Sequence, residues 1–312
     1  MSTLKMRDIP VQCNANCTTD AQKSARYYNS GTAFMKQLSQ VPPSTFVTEA
    51  EQALDPEAPT GIICCDNAGI LELTTPATTP NILARYIVIR PGEHLDFQAQ
   101  ASTLIFYCLT GAGHVGKDGT VIEWSKGDVF LMPGGETMRL RSSGDGNTVL
   151  WAVGDDPLIH VMDVTAKPSG LSSIVPVHYP ADDIKRQLDL IYTAEQEADT
   201  AGRALIFSNE NYDANRNIAP VLTLALNTLD PGTETRPHRH NSVAVMLVLA
   251  GENCHSAAGD VVKEWTPFST TITPPFAWHT HHNNGDVRAE LLIVQDGGIF
   301  THSRVSGFSF EE

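Results

Sequence analysis

The chain has 312 residues, 41% of them hydrophobic, which is enough for two domains of ordinary size with connecting pieces. Asp and Glu outnumber Lys and Arg by 36 to 21, a net charge of −15, which argues against nucleic acid or an anionic membrane surface as a partner. No apolar run approaches membrane-spanning length, and Met1 to Asp20 is polar, without the apolar region of a signal peptide. The expectation is a cytoplasmic protein whose six cysteines, Cys13, Cys17, Cys64, Cys65, Cys108 and Cys254, stay reduced.

In chain order, residues 1–59 predict a helical extension, with a helix over Thr19 to Leu38 and a loop around Val41-Pro42-Pro43. Residues 60–165 predict a first β-barrel. It begins with the apolar strand Gly61 to Cys65, where the cysteines belong to the core. Residues 166–204 form a connector. Its Pro180-Ala181-Asp182-Asp183 starts a helix through Ile184, Leu188, Ile191 and Tyr192 towards Ala201-Gly202. Residues 205–312 predict a second barrel. The apolar run Ala219 to Leu226 leads to a Pro231-Gly232 turn, then to Pro237-His238-Arg239-His240, a further strand over Val243 to Leu249, and Gly251. The apolar tail Phe308-Ser309-Phe310 would pack on a barrel or a neighbouring subunit.

The two barrels repeat one another. Pro91-Gly92 matches Pro231-Gly232, and Leu109-Thr110-Gly111 matches Leu249-Ala250-Gly251, both at an offset of 140 (92 to 232, 109 to 249). Glu123-Trp124 matches Glu264-Trp265, and Pro133 matches Pro274, at an offset of 141. A long-period repeat of short strands divided by Gly and Pro implies a duplicated all-β domain of jelly-roll or barrel type.

His238 and His240 stand two apart, so on a strand they share a face, and His279 in Thr273-Pro274-Pro275-Phe276-Ala277-Trp278-His279 can complete a triad. Neutral imidazoles suit a divalent first-row metal, and three of them leave positions open for substrate. In the first copy these positions align with Gln98, Gln100 and Met138, and nearby His94 has no partner at ligand spacing, so that barrel is expected to be metal-free.

Several further residues are candidates. His281 shares the parity of His279 and would be an acid or base beside the metal, or else it and His282 are exposed at the barrel mouth. Arg236 and Glu234 share the parity of His238. Arg236 would clamp a substrate carboxylate or form an ion pair at the strand start, and Glu234 is a reserve ligand. Trp278 lines the pocket or points into the wall, and Arg239 faces away from the metal.

Pro-Gly, then His-x-His, then Gly, then Pro-x-x-x-x-His resembles the cupin superfamily, and over about residues 60–310 the chain resembles a bicupin: two tandem jelly-roll barrels. In the first copy, Gly127-Asp128-Val129-Phe130-Leu131-Met132-Pro133-Gly134-Gly135 matches the second cupin motif apart from its histidine. The Glu that many cupins add after the second His is absent; Ala244 and Val245 stand there. His238-Arg239-His240-Asn241-Ser242 followed by Thr273 to His281 resembles the gentisate 1,2-dioxygenase group, which includes salicylate and hydroxynaphthoate dioxygenases. That resemblance implies a non-haem Fe(II) enzyme, a homo-oligomer, that opens the ring of a hydroxylated aromatic acid with O2. One departure is that the best-known members carry iron in the first barrel. Histidine ligands alone also suit Mn, Ni, Zn or Cu. Two other classes remain open: a metal-dependent isomerase, lyase or hydrolase acting without O2, and a non-catalytic metal- or ligand-binding cupin.

Overall fold

The structure, a computed structural model, describes residues 4–117, 119–195, 202–305 and 307–311. It divides into two units, one up to Gln40 and one from Val41.

The first unit holds two short helices, Asp20–Ser24 and Ser30–Ala33, where the sequence predicted one long helix from Thr19 to Leu38. Local side-chain bonds explain the break. Thr19 and Gln22 form a capping box around the first helix, and Asn29 accepts the Gly31 N–H to start the second.

The second unit contains four antiparallel sheets. One six-stranded sheet runs Gly61–Cys64, Leu83–Ile89, Thr148–Gly154, Thr103–Thr110, Val129–Pro133 and Val177–Tyr179 in spatial order. It faces a four-stranded sheet of His94–Phe97, Met138–Ser142, Ala112–Lys117 and Thr120–Ser125. The second barrel repeats this plan. Its large sheet runs Thr45–Phe46, Thr270–Thr273, Ala244–Ala250, Ala289–Gln295, Thr223–Leu229 and Arg203–Phe207. Its small sheet runs Val261–Glu264, Cys254–Ala258, His279–Asn283, His238–His240 and Phe308–Phe310, with Thr233–Glu234 also on His279–Asn283. Sheet membership crosses the sequence ranges: Thr45–Phe46 pairs with the second barrel, and Val177–Tyr179 from the connector with the first. The connector helix spans Ala181–Thr193, with Ile184 and Leu188 buried and the Asp128 carboxylate accepting the Ala181 N–H. Its expected extension towards Ala201 lies outside the described residues. Among the described residues, no helix is long and apolar enough to cross a membrane.

The large sheets of the two barrels share one core. Tyr86, Val88, Trp151 and Leu131 of the first pack with Leu224, Val245, Ile272 and Val294 of the second. Val129–Pro133 and Thr148–Gly154 are buried on both faces, so they are largely apolar, whereas Thr223–Leu229 alternates, with Leu224 and Leu226 buried in this core. Polar ends buried in this contact are satisfied across it: the Tyr86 hydroxyl donates to the Phe268 carbonyl at 2.6 Å, and the Trp151 indole to the Thr270 hydroxyl at 2.9 Å.

The first barrel is filled. Phe130 stacks on Phe106 at 4.6 Å and on Trp124 at 5.0 Å, Phe97 meets Phe106 edge-on, and Met138 and Leu140 close the remaining space. Phe97 faces Met138 across its sheet as His238 faces His279 in the other, both at an offset of 141 (97 to 238, 138 to 279). The first-barrel counterparts of the triad are therefore Phe97, Ala99 and Met138. Gln98 and Gln100 point outward. A slip of one residue in matching the copies exchanged the two faces of the strand. Phe106→Ala should cost about 3–5 kcal/mol of stability by opening a void in this stack. Chemical denaturation measures it, and the metal content of the second barrel should not change.

Candidate metal centre

The ligand strand His238–His240 lies beside His279–Asn283, and His238 is directly opposite His279. Alternation turns His238 and His240 inward and Arg239 outward, where its guanidinium lies over the Trp278 ring at 4.4 Å. The Pro274-Pro275-Phe276-Ala277 turn delivers the third histidine. Phe276 takes a left-handed conformation (φ 61°) there and donates its N–H to the His240 carbonyl at 2.7 Å. Ring centroids stand 4.2 Å apart for His238–His279 and 4.8 Å for His240–His279, and the three ligand nitrogens lie within 4.8 Å of one another.

Each imidazole is oriented from behind by a backbone carbonyl. The Nδ1 atoms of His238, His240 and His279 meet the carbonyls of Arg236, Ser242 and Ala277 at 2.8, 2.7 and 2.9 Å. A carbonyl only accepts, so each Nδ1 carries the proton and each Nε2 presents a lone pair, the arrangement that a ligating histidine needs. Burial lowers the pKa of all three, that of His279 to about 3 with neighbouring His238 adding to the effect. Three neutral, pre-oriented imidazoles fit a divalent metal ion, and they are the one such group of His, Cys, Asp and Glu among the described residues.

The sign of the pH dependence follows from burial. The unfolded chain takes up a proton at His279 below about pH 6.5, whereas the native protein does not until about pH 3. The metal-free protein should therefore be fully stable above that range and lose stability as pH falls. At pH 5 His279 alone contributes a loss of about 2 kcal/mol. Urea midpoints of the chelated protein at pH 7 and 5 measure it, and a midpoint no lower at pH 5 would show that the imidazole is not held neutral.

His281 is buried on the same face as His279 and lines the same cavity. Its Nδ1 lies 2.8 Å from the Ser256 hydroxyl, which accepts the Trp265 indole N–H at 2.8 Å. The hydroxyl, accepting from the indole, has its own proton available for Nδ1, and that arrangement puts the imidazole proton on Nε2. Burial, with neighbouring His279, holds the His281 pKa well below its ordinary value. His282 faces the other way, stacked on His255 at 4.4 Å, with its Nδ1 2.8 Å from the Glu234 carboxylate. Glu234 is thus engaged on the outer face and is not a reserve ligand.

Arg236 does not reach the cavity. Its guanidinium lies over the Phe310 ring at 4.5 Å and donates to the Glu311 carbonyl at 3.2 Å. The strand breaks at Pro237, between Thr233–Glu234 and His238–His240, so parity does not carry across. Thr235 takes the inward position instead, and its hydroxyl accepts the His281 N–H at 2.9 Å. Trp278 packs under Arg239 and does not line the cavity.

The cavity holds about 350 Å3. Sequence reasoning missed Asn227, Gln295 and the buried Asp296, and had the tail Phe308-Ser309-Phe310 packing on a barrel or a neighbouring subunit. Asn227 and Gln295 line the cavity, the Gln295 amide 3.2 Å from the His240 Nε2. Phe308 closes one side: the tail strand pairs with the ligand strand and sets this ring 5.3 Å from His238. Asp296 accepts the Val243 N–H at 2.9 Å as Asp155 accepts the Ser102 N–H at 2.7 Å, again at an offset of 141 (155 to 296, 102 to 243). The polar residues Asn227 and Gln295 at the ends of apolar runs were the available signal.

This architecture is that of a bicupin. Residues 225–295 match the cupin domain family. The chain is 30% identical over 135 residues to a 1-hydroxy-2-naphthoate 1,2-dioxygenase of Nocardioides sp. (strain KP7), covering 43% of this chain and 34% of that protein. It is 31% identical over 145 residues to a gentisate 1,2-dioxygenase of Aquipseudomonas alcaligenes, covering 45% and 40%. The match thus spans well under half the length of either relative. The crystal structure of a salicylate 1,2-dioxygenase from Pseudaminobacter salicylatoxidans has the same fold over 89% of this chain and 91% of its own, with a TM-score of 0.73 at 16% identity.

Proposed function

We propose that this protein is a non-haem Fe(II)-dependent dioxygenase that opens the ring of a hydroxylated aromatic acid using O2, acting in the cytoplasm as a homo-oligomer. The observation that carries the reading is the set of three neutral imidazoles, each fixed through Nδ1 to a backbone carbonyl, facing a cavity large enough for a substituted benzene ring. The names of the relatives support the choice of reaction. Fe(II) held by His238, His240 and His279 would supply open positions for a chelating substrate and for O2.

The chain's own residues do the rest. Met246, Ile293 and Phe300 give the ring an apolar wall and keep water from it. His281, neutral and with its proton on Nε2, donates a hydrogen bond to an oxygen of the bound substrate. Fixed donors and walls hold the reacting atoms together, which is the proximity contribution.

The test is anaerobic reconstitution with Fe(II), then an oxygen electrode with a series of hydroxybenzoates. We expect about one ion per chain and one O2 consumed per ring opened. Two ions per chain would remove the metal-free first barrel. Turnover of a substrate at an unchanged rate without O2 would replace the dioxygenase reading with an isomerase or lyase.

A further inference from the structure

The cavity is uncharged. Among the described residues that line it there is no Lys, Arg, Asp or Glu. Its polar groups are neutral side chains of Asn, Gln, Ser, Thr and His, Asn227, Thr235 and Gln295 among them. The remainder is largely Ala and aliphatic or aromatic side chains. The nearby cations are engaged outside it: Arg236 with Phe310 and the Glu311 carbonyl, Arg239 with Trp278 and the Ser309 hydroxyl, Arg203 with the Tyr192 ring and the Ile191 carbonyl, Arg304 with the Thr301 and His302 carbonyls, and the buried Lys263, whose charge acts on His279 and His281, with the Thr271 hydroxyl and the Ile272 carbonyl.

We infer that the site takes aromatic acids that carry one chelating pair of adjacent oxygens and are otherwise uncharged, and that it refuses a ring bearing a second carboxylate. This rests on the reading of the site as one for chelating aromatic acids. A divalent ion on three neutral imidazoles leaves a charge of two to be balanced, and an adjacent phenolate and carboxylate balance it. A further carboxylate would sit against Ile293, Met246 or Phe300 with no cation among the described lining residues to pair it, and an unpaired charge taken out of water is disfavoured far more than an amide of the same shape. Neutral donors such as Asn227 can serve a hydroxyl, amide or nitro group on the ring.

The experiment uses the full chain loaded with Zn(II), which binds histidines but does no redox chemistry, and calorimetry rather than turnover as the readout. The probes are 2-hydroxybenzoate, 5-carbamoyl-2-hydroxybenzoate and 4-hydroxybenzene-1,3-dicarboxylate. The last two differ by an amide against a carboxylate at one position. The expected result is similar affinity for the first two and a loss of about a hundredfold or more for the dicarboxylate. The loss should persist in high salt, which screens the net charge of −15 and leaves the local effect. Ile206 lines the cavity at its rim and is 54% exposed, so Ile206→Arg can place a cation there without opening the core. It should recover at least about tenfold for the dicarboxylate alone. Equal binding of dicarboxylate and amide would overturn the inference and leave the dioxygenase reading standing. Failure of all three probes to bind would overturn both.

Discussion

His279→Ala is expected to empty the metal site and abolish turnover. His279 stands between the other two imidazoles, with its ring closest to both, and is 3% exposed. Without it, His238 and His240 remain 6.1 Å apart between ring centroids, with no carboxylate among the described residues to replace the lost ligand. Two imidazoles do not hold a divalent ion against dilution as three do, so metal analysis after dialysis should fall from about one ion per chain to under about a tenth. The alanine also removes a buried group that resists protonation, so the metal-free variant should be less sensitive to acid than the parent. Full metal retention would show that the triad is not the site.

His281→Ala tests a different role and should separate from the first result. The metal should stay, because His281 has its Nδ1 on Ser256 rather than on a carbonyl and lies outside the set of close ligand nitrogens. The rate should fall by ~10²–10³, the usual range for a lost hydrogen-bond donor to developing charge. Ser256→Ala is the milder companion. It frees Nδ1 to take the proton, so part of the enzyme would carry the unsuitable tautomer. The rate should drop by less than in His281→Ala, and it would also leave the buried Trp265 indole without its acceptor. If His281→Ala loses metal in proportion to activity, the residue is a ligand and not a hydrogen-bond donor to substrate.

The metal triad was legible because it depends on local spacing and on one rule, that strand side chains alternate. The same rule failed at Arg236, where Pro237 interrupts the strand and parity no longer carries across. It failed at Gln98 and Gln100, where one residue's error in aligning the copies exchanged inside for outside. The barrel repeat was visible in its Pro-Gly and Gly anchors, since turns demand those residues wherever they recur. The pairing of Thr45–Phe46 with Thr270–Thr273, more than two hundred residues away in sequence, has no local signature at all. Nor does Phe308 beside His238, because the contact is made by chain ends that only the folded barrel brings together.

The shared core of the two large sheets gives the filled barrel a purpose that its lost ligands would not suggest. It acts as a foundation. The strands that carry Asn227, Met246 and Gln295 into the cavity turn their other faces onto Tyr86, Trp151 and their neighbours, so the cavity wall is backed by a barrel whose own interior holds the packed rings of Phe97, Phe106, Trp124 and Phe130. The exchanged edge strands bolt the two together: each barrel borrows a strand from outside its own stretch of chain. Duplication has in effect divided the labour. One copy keeps a cavity, and the other fills the matching space with apolar side chains.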